Sequence, residues 1–240
     1  MSTMGARERM LGRLRAAAPT AADNVDNVDE LGSRIDAHYE GRRAARPMSR
    51  QDLVQAMQTA LTASHAEVWC ADADTWPALL AQKIADKGVR RMLLDPASVE
   101  GAAMARALPA TVQASPFAQP LEVWKSELFD TVDAGFTVAR SGIAATGTLI
   151  LAPDAGTPRT VSLVPPLHIA LVYAGTLHAD LHAAAQAERW RDGMPTNLVL
   201  ASGPSKTSDI QQTLAYGAHG PRWMWVIIVT ERDGAAGASQ

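Results

Sequence analysis

Residues 66–107, AEVWCADADTWPALLAQKIADKGVRRMLLDPASVEGAAMARA, decide the fold. Ala66–Cys70 is a short apolar segment of strand character, Thr75–Asp86 has helical spacing, Val89–Asp95 is a second strand stopped by Asp95 and Pro96, and Ser98–Ala107 is a second helix. Asp74 and Thr75 are the candidate caps of the first helix, and Ser98 of the second. Strands that run the same way need a long connection, and the helices supply it. The series therefore predicts parallel pairing with right-handed crossovers, an α/β fold with a mostly parallel sheet flanked by helices.

Towards the amino terminus, Gln51–Thr62 places Leu53, Val54, Met57 and Leu61 on one helical side, with Ser49 as its cap. Arg7–Ala18 is expected to be helical through Met10, Leu11 and Leu14, whereas Pro19–Arg46 has few large apolar groups and is expected to be a partly ordered arm. Towards the carboxyl terminus, Leu121–Lys125 is expected as a short edge strand and Ser126–Thr131 as the start of a helix. Phe136–Ala139 and Thr146–Ala152 flank RSGIAATGT, a pattern of short strands and glycine turns that suggests an antiparallel addition. TVSLVPP (160–166) is expected as a strand closed by prolines, followed by the strand His168–Ala174, a helix Thr176–Arg191, the strand TNLVLASG (196–203), a helix Ser208–Tyr216 and the strand Trp223–Glu231. The organisation expected is an amino-terminal helix and arm over 1–46, one α/β domain over 47–232, and a tail over 233–240.

With 240 residues and 47% apolar composition the chain can bury one substantial core. No apolar run approaches the ~20 residues of a bilayer span, and the first residues lack the apolar stretch of a secretory signal, so a cytoplasmic protein is expected. The single cysteine, Cys70, cannot by itself build an iron–sulfur or zinc site, and its strand context predicts a buried thiol. No cofactor and no metal site are expected. A net charge of -3 argues against nonspecific nucleic-acid binding.

Two segments carry candidate chemistry. In Ser202-Gly203-Pro204-Ser205-Lys206-Thr207-Ser208-Asp209 a strand end runs through a turn into the expected helix, whose free N–H groups, with Lys206, would hold a carboxylate or phosphate. That is also the strand end at which α/β sheets usually bind ligands. The plain alternative is a capped helix with Lys206 in water, and Asp209 reads first as a first-turn acid that stabilises the helix start, ahead of holding Lys206 or accepting a substrate proton. The spacing is not that of a nucleoside-triphosphate loop. In Ser141-Gly142-Ile143-Ala144-Ala145-Thr146-Gly147-Thr148 the glycines either bring Thr146 and Thr148 to a ligand or only connect strands. His168 and His219 are candidates for proton transfer or for bracing a backbone carbonyl. His178 and His182, spaced i,i+4 with Asp180 between them, read as a solvent-facing pair more readily than as a metal centre.

The segments 140–172 (RSGIAATGTLILAPDAGTPRTVSLVPPLHIALV) and 198–221 (LVLASGPSKTSDIQQTLAYGAHGP) resemble the LUD-domain family, in its lactate-utilisation protein C branch. The resemblance implies a ribose-phosphate isomerase/CoA-transferase-like fold and a place in an L-lactate oxidation system beside two iron–sulfur partner proteins. The family's GIAETGT stands here as Gly142–Thr148 with Ala145 for the acid, SGPSRTADIE as Ser202–Gln211 with Lys206 for Arg and Gln211 for Glu, and GVHGP as Gly217–Pro221 with Ala218 for Val. Loss of both carboxylates argues against a CoA-transferase-type covalent mechanism, and Lys206 keeps charge without the bidentate geometry of Arg. The expectation is an accessory or regulatory subunit binding a small anionic or phosphate-bearing ligand through Gly142, Thr146, Gly147, Thr148, His168, Ser202, Gly203, Ser205, Lys206, Thr207, Asp209 and His219. Two alternatives stay open: an enzyme acting on a sugar phosphate or acyl-CoA compound, and a non-catalytic scaffold for the iron–sulfur partners.

Overall fold

The computed structural model describes residues 6–17, 21–208 and 214–230, and the chain divides into two units, 1–47 and 48–240. In the first unit α1 spans Ala6–Ala17 and α2 spans Ala21–Ala45. The expected partly ordered arm is therefore a helix. The stretch between Pro19 and Pro47 holds no proline, and a helix satisfies its own backbone hydrogen bonds without needing a core. Its scarcity of large apolar groups shows instead in exposed side chains such as Leu31 and Ile35.

The second unit opens with α3 (Arg50–Ala63), whose start is fixed by a reciprocal capping box. Ser49 Oγ accepts from the Asp52 amide, and the Asp52 carboxylate accepts from the Ser49 amide at 2.8 Å. Then follow β1 (Glu67–Asp72), α4 (Trp76–Lys87), β2 (Arg91–Leu93), α5 (Val99–Ala107, capped by Ser98), β3 (Gln113–Ser115), α6 (Leu121–Thr131) and β4 (Ala134–Val138). β5 (Ser141–Ile143) and β6 (Thr148–Leu151) flank a one-turn 3-10 helix at Ala144–Thr146. After them come α7 (Arg159–Leu163), β7 (Leu167–Tyr173), β8 (Leu177–His178), α8 (Leu181–Ala187), β9 (Val199–Ala201), β10 (Lys206–Ser208), β11 (Leu214–Tyr216) and β12 (Trp223–Thr230).

Six strands form one sheet in the order β1-β12-β7-β4-β2-β3, every pair parallel. Alternation along the strands sorts the core. Leu167, Ile169 and Leu171, with Phe136, Trp225, Ile227 and Val229, pack on Trp76, Leu80 and Ile84 of α4 and Met104 of α5. The intervening residues Ala170, Val172, Met224, Val226 and Ile228 meet Met57 and Leu61 of α3 and Leu149 and Leu151 of β6. Each fully buried Leu- or Ile-sized side chain contributes about 2 kcal/mol of transfer free energy, so these two faces dominate the fold. Gly147 is a close-approach point between the sheet's second cover and α3: its φ is +60°, and a Cβ there would stand 2.6 Å from the Leu61 amide nitrogen.

Several local expectations are corrected. Leu121–Lys125 is the first half of α6, because Pro120 starts a helical stripe in which Trp124 and Leu128 pack on Leu93 and Val161. Part of TVSLVPP is α7: Pro158 precedes it, and Val161 and Ser162 turn inwards. Thr75 makes no side-chain cap; the Asp72 carboxylate accepts from the Thr75 amide at 2.8 Å instead. The helix expected from Thr176 begins only at Leu181, where Asp180 caps it through the Ala183 amide at 2.8 Å. Among the described residues the expected helix Ser208–Tyr216 is a pair of antiparallel strands, β10 and β11; residues 209–213 lie outside the described residues. Cys70 is exposed, because β1 is an edge strand, and partial burial raises its thiol pKa. Among the described residues no helix is long and apolar enough to cross a membrane.

Candidate functional site

A second sheet, in the order β8-β5-β6-β9, holds Gly142 in β5 and Thr148 in β6, and Ser202 follows directly on β9. β5 and β6 are antiparallel, as are β6 and β9, which sets Leu149 opposite Ala201 and Leu151 opposite Val199. That register carries Thr148 next to Ser202, and their hydroxyl oxygens lie 2.7 Å apart. Thr146 Oγ1 lies 2.7 Å from Thr148 Oγ1, so three hydroxyls from two distant stretches of chain form a continuous chain. Ser202 is the end of that chain which opens on a cleft.

The cleft has a volume of about 240 Å³, just below the ~300–1,000 Å³ of typical small-molecule sites. Its polar lining is Ser162, His168, Ser202, Ser205 and His219, with the backbone at Gly203 and Gly220; Leu151, Leu163, Val199 and Met224 supply much of the apolar wall. Two turns are laced together to make it: the Ser205 amide donates to Pro221 O at 2.8 Å, and the Gly217 amide to Ser205 O at 3.0 Å. Gly203, at φ +153°, passes so close to α3 that a Cβ would sit 2.7 Å from Ser64 O. No lysine, arginine, aspartate or glutamate is among the described lining residues.

His168 is 2% exposed, with Nε2 2.9 Å from Thr137 Oγ1. Burial lowers its pKa to about 4, so the ring is neutral at pH 7. The near-neutral titration that would make it a proton shuttle is thereby lost, and it is left as a hydrogen-bonding group. As the second residue of β7, aligned with Met224 at the second position of β12, it marks the amino ends of the parallel strands. The cleft thus opens at the end opposite the usual one for this architecture.

The other expected residues divide into two groups. Ser202, Gly203, Ser205, His168 and His219 line the cleft, and Thr146 and Thr148 reach it through the hydroxyl chain. Gly142 is a packing position in β5 beneath Leu177 and Met57, and Gly147 packs on α3. Lys206 and Thr207 lie in β10 and do not line the cleft, with Lys206 exposed. The helix start that would have made an anion site of them is a strand among the described residues. Asp209 lies outside the described residues. His178 is in β8 and His182 in α8, so the i,i+4 helical pair does not form, and no metal-binding group of three ligands occurs among the described residues. Ser162 and Leu163 went unnoticed in the sequence because their segment looked like a strand.

One further polar group braces this sheet. The Glu188 carboxylate accepts from Ser141 Oγ and from Trp190 Nε1 at 2.9 Å, with Arg140 Nε at 3.5 Å. Nearby His178 has its pKa lowered by burial, partly offset by Glu188 and Asp180.

The family model of the LUD domain matches residues 54–229, almost the whole second unit. The chain belongs to the LUD domain family. It is 35% identical over 232 residues to an uncharacterised protein of Neisseria meningitidis serogroup B, with 94% of each chain covered. It is 34% identical over 109 residues to lactate utilization protein C of Shouchella clausii, covering 44% of this chain and 48% of that one. A similar protein of Halalkalibacterium halodurans, under the same name, matches at 33% over 129 residues, 48% of this chain and 54% of that one. The chain thus spans about half the length of these lactate utilization relatives. A crystal structure of a DUF162 family protein from Deinococcus radiodurans shares the fold, with a TM-score of 0.56 and 24% identity over 76% of this chain and 99% of that one.

Proposed function

We propose that this LUD-domain chain is a non-redox accessory or regulatory subunit of an L-lactate oxidation system, cytoplasmic, and that its cleft holds a small anionic ligand, a carboxylate or a phosphate. The observation that carries this reading is the convergence of Ser202 and Ser205, His168 and His219 on one small cleft from three separate places in the sequence. The names of the relatives that match about half their length supply the lactate connection. The partners proposed are two iron–sulfur proteins, since a lone exposed cysteine cannot hold a cluster. The loss of near-neutral titration at His168 speaks for binding over acid–base turnover.

The test is genetic and biochemical together. Deletion of the gene is expected to impair growth on L-lactate but not on glucose, with growth restored by the wild-type chain. Tagged protein is expected to co-purify with two iron–sulfur proteins. Normal growth on L-lactate without the gene contradicts the proposal.

A further inference from the structure

Thr137 of β4 and His168 of β7 project from the same face of the six-stranded sheet, one register step apart: Gly135 pairs with His168 and Thr137 with Ala170. Both are buried, at 6% and 2% exposure, and among the described residues each side chain's hydrogen-bond partner is the other, with Oγ1 2.9 Å from Nε2. A hydroxyl has one proton, and a buried proton left without an acceptor costs about 1–3 kcal/mol. If Nε2 were the donor, the Thr137 proton would be stranded. If Thr137 donates to Nε2, its proton and the Nε2 lone pair are both paired, and the single proton of the neutral ring sits on Nδ1, where the cleft offers access to an acceptor that the buried hydroxyl lacks. That nitrogen has no partner among the described residues, and the ring borders the cleft.

We propose that Thr137 locks His168 as the Nδ1–H tautomer, and that this N–H is the donor to an oxygen of a small carbonyl or monocarboxylate compound bound in the cleft. The assignment rests on the cleft being the ligand site, and it narrows the ligand class. The described lining offers uncharged donors, His168 together with Ser202 and Ser205, opposite an apolar wall that includes Leu163 and Met224. A phosphate dianion would bring two charges into a space lined by no described lysine or arginine, where desolvation opposes it. One carbonyl or carboxylate oxygen facing a neutral N–H, with a methyl-sized group against the apolar wall, matches the lining. Thr137 acts through His168 and is a positioning residue.

Long-range proton–nitrogen correlation spectra of the full chain labelled with [15N]histidine test the lock, with the His168 signals assigned by loss in His168→Gln. The expected pattern is a protonated Nδ1 and a bare Nε2, unchanged from about pH 8 to about pH 5.5. An Nε2–H pattern, or a ring that titrates in that range, overturns it. Thr137→Ser should keep the pattern and Thr137→Val should release it; an unchanged tautomer in the valine variant also overturns the lock. Pyruvate and inorganic phosphate are the ligand probes. Pyruvate is expected to shift the Nδ1 signal and to bind about tenfold more weakly to Thr137→Val, the loss of one hydrogen bond, while phosphate leaves the signal in place. A response to phosphate alone, or to neither probe, overturns the ligand class. The deletion phenotype reads the lactate proposal separately: normal growth on L-lactate beside an intact pyruvate response would remove the lactate reading and leave the site.

Discussion

The two ends of the six-stranded sheet are used differently. At the carboxyl ends the polar side chains are tied to one another and to helix starts. Asp72 takes hydrogen bonds from Thr75 at the start of α4, with the hydroxyl at 2.6 Å, and Tyr173 donates to Glu100 of α5 at 2.6 Å. Burial, and then the Glu100 hydrogen bond and charge, push the Tyr173 pKa up to about 12. At the amino ends, a buried histidine and two serines border an open cleft, because the β8-β5-β6-β9 sheet and the turns at 203–205 and 217–221 lie against the starts of β7 and β12. Strand direction alone would send a search to the other end. What locates the candidate cleft is where the extra layer meets the sheet.

Ile227→Ala empties a fully buried position in β12, shared by both ends, and is expected to cost about 4 kcal/mol in a denaturant titration. Leu200→Ala, on half-exposed β9, should cost less than about 1 kcal/mol; equal losses would mean that the second sheet is as deeply built into the core as the first.

Acid sharpens the contrast. The His168 pKa lies near 4 in the folded chain and near 6.5 as a free side chain, so the unfolded state binds the extra proton. The stability it carries is complete above about pH 6.5 and is lost as pH falls towards 4, up to about 3 kcal/mol over that window. Thermal melts of wild type and His168→Gln should therefore converge on acidification. Parallel curves would show that His168 titrates normally.

Smaller effects separate packing from binding. Gly147→Ala must place a Cβ at positive φ against α3, and about 2 kcal/mol of destabilisation is expected. Ser202→Ala breaks the hydroxyl chain where it meets the cleft. It should cost about 1 kcal/mol or less in stability while weakening pyruvate binding about tenfold by calorimetry. Unchanged affinity would leave Ser202 a purely structural residue.

The parallel sheet was legible wherever a strand had to be apolar on both faces. Ile169–Val172 and Val226–Val229 are continuous runs that suit little else. β3 escaped notice because Gln113–Ser115, at the far edge, need bury little. The first half of α6 and α7 differ from the strands expected there because short apolar runs beside proline fit a strand or a buried helix equally, and only their neighbours decide. For the site, the turn residues Ser202, Gly203, Ser205 and His219 were visible as turn chemistry. The Thr137 contact and the inward Ser162 were not, since each depends on pairing across distant segments. Lys206 attracted attention by its charge, yet a strand, not a helix start, carries it away from the cleft lining.

The most direct measurement is a backbone amide shift map of the labelled full-length chain titrated with pyruvate and L-lactate. Saturable shifts confined to Ser202, Gly203, Ser205, Gly220 and the start of β7 around His168 are expected. Shifts centred instead on Asp95, Glu100 and Tyr173, at the carboxyl ends of the strands, would contradict the cleft as the ligand site.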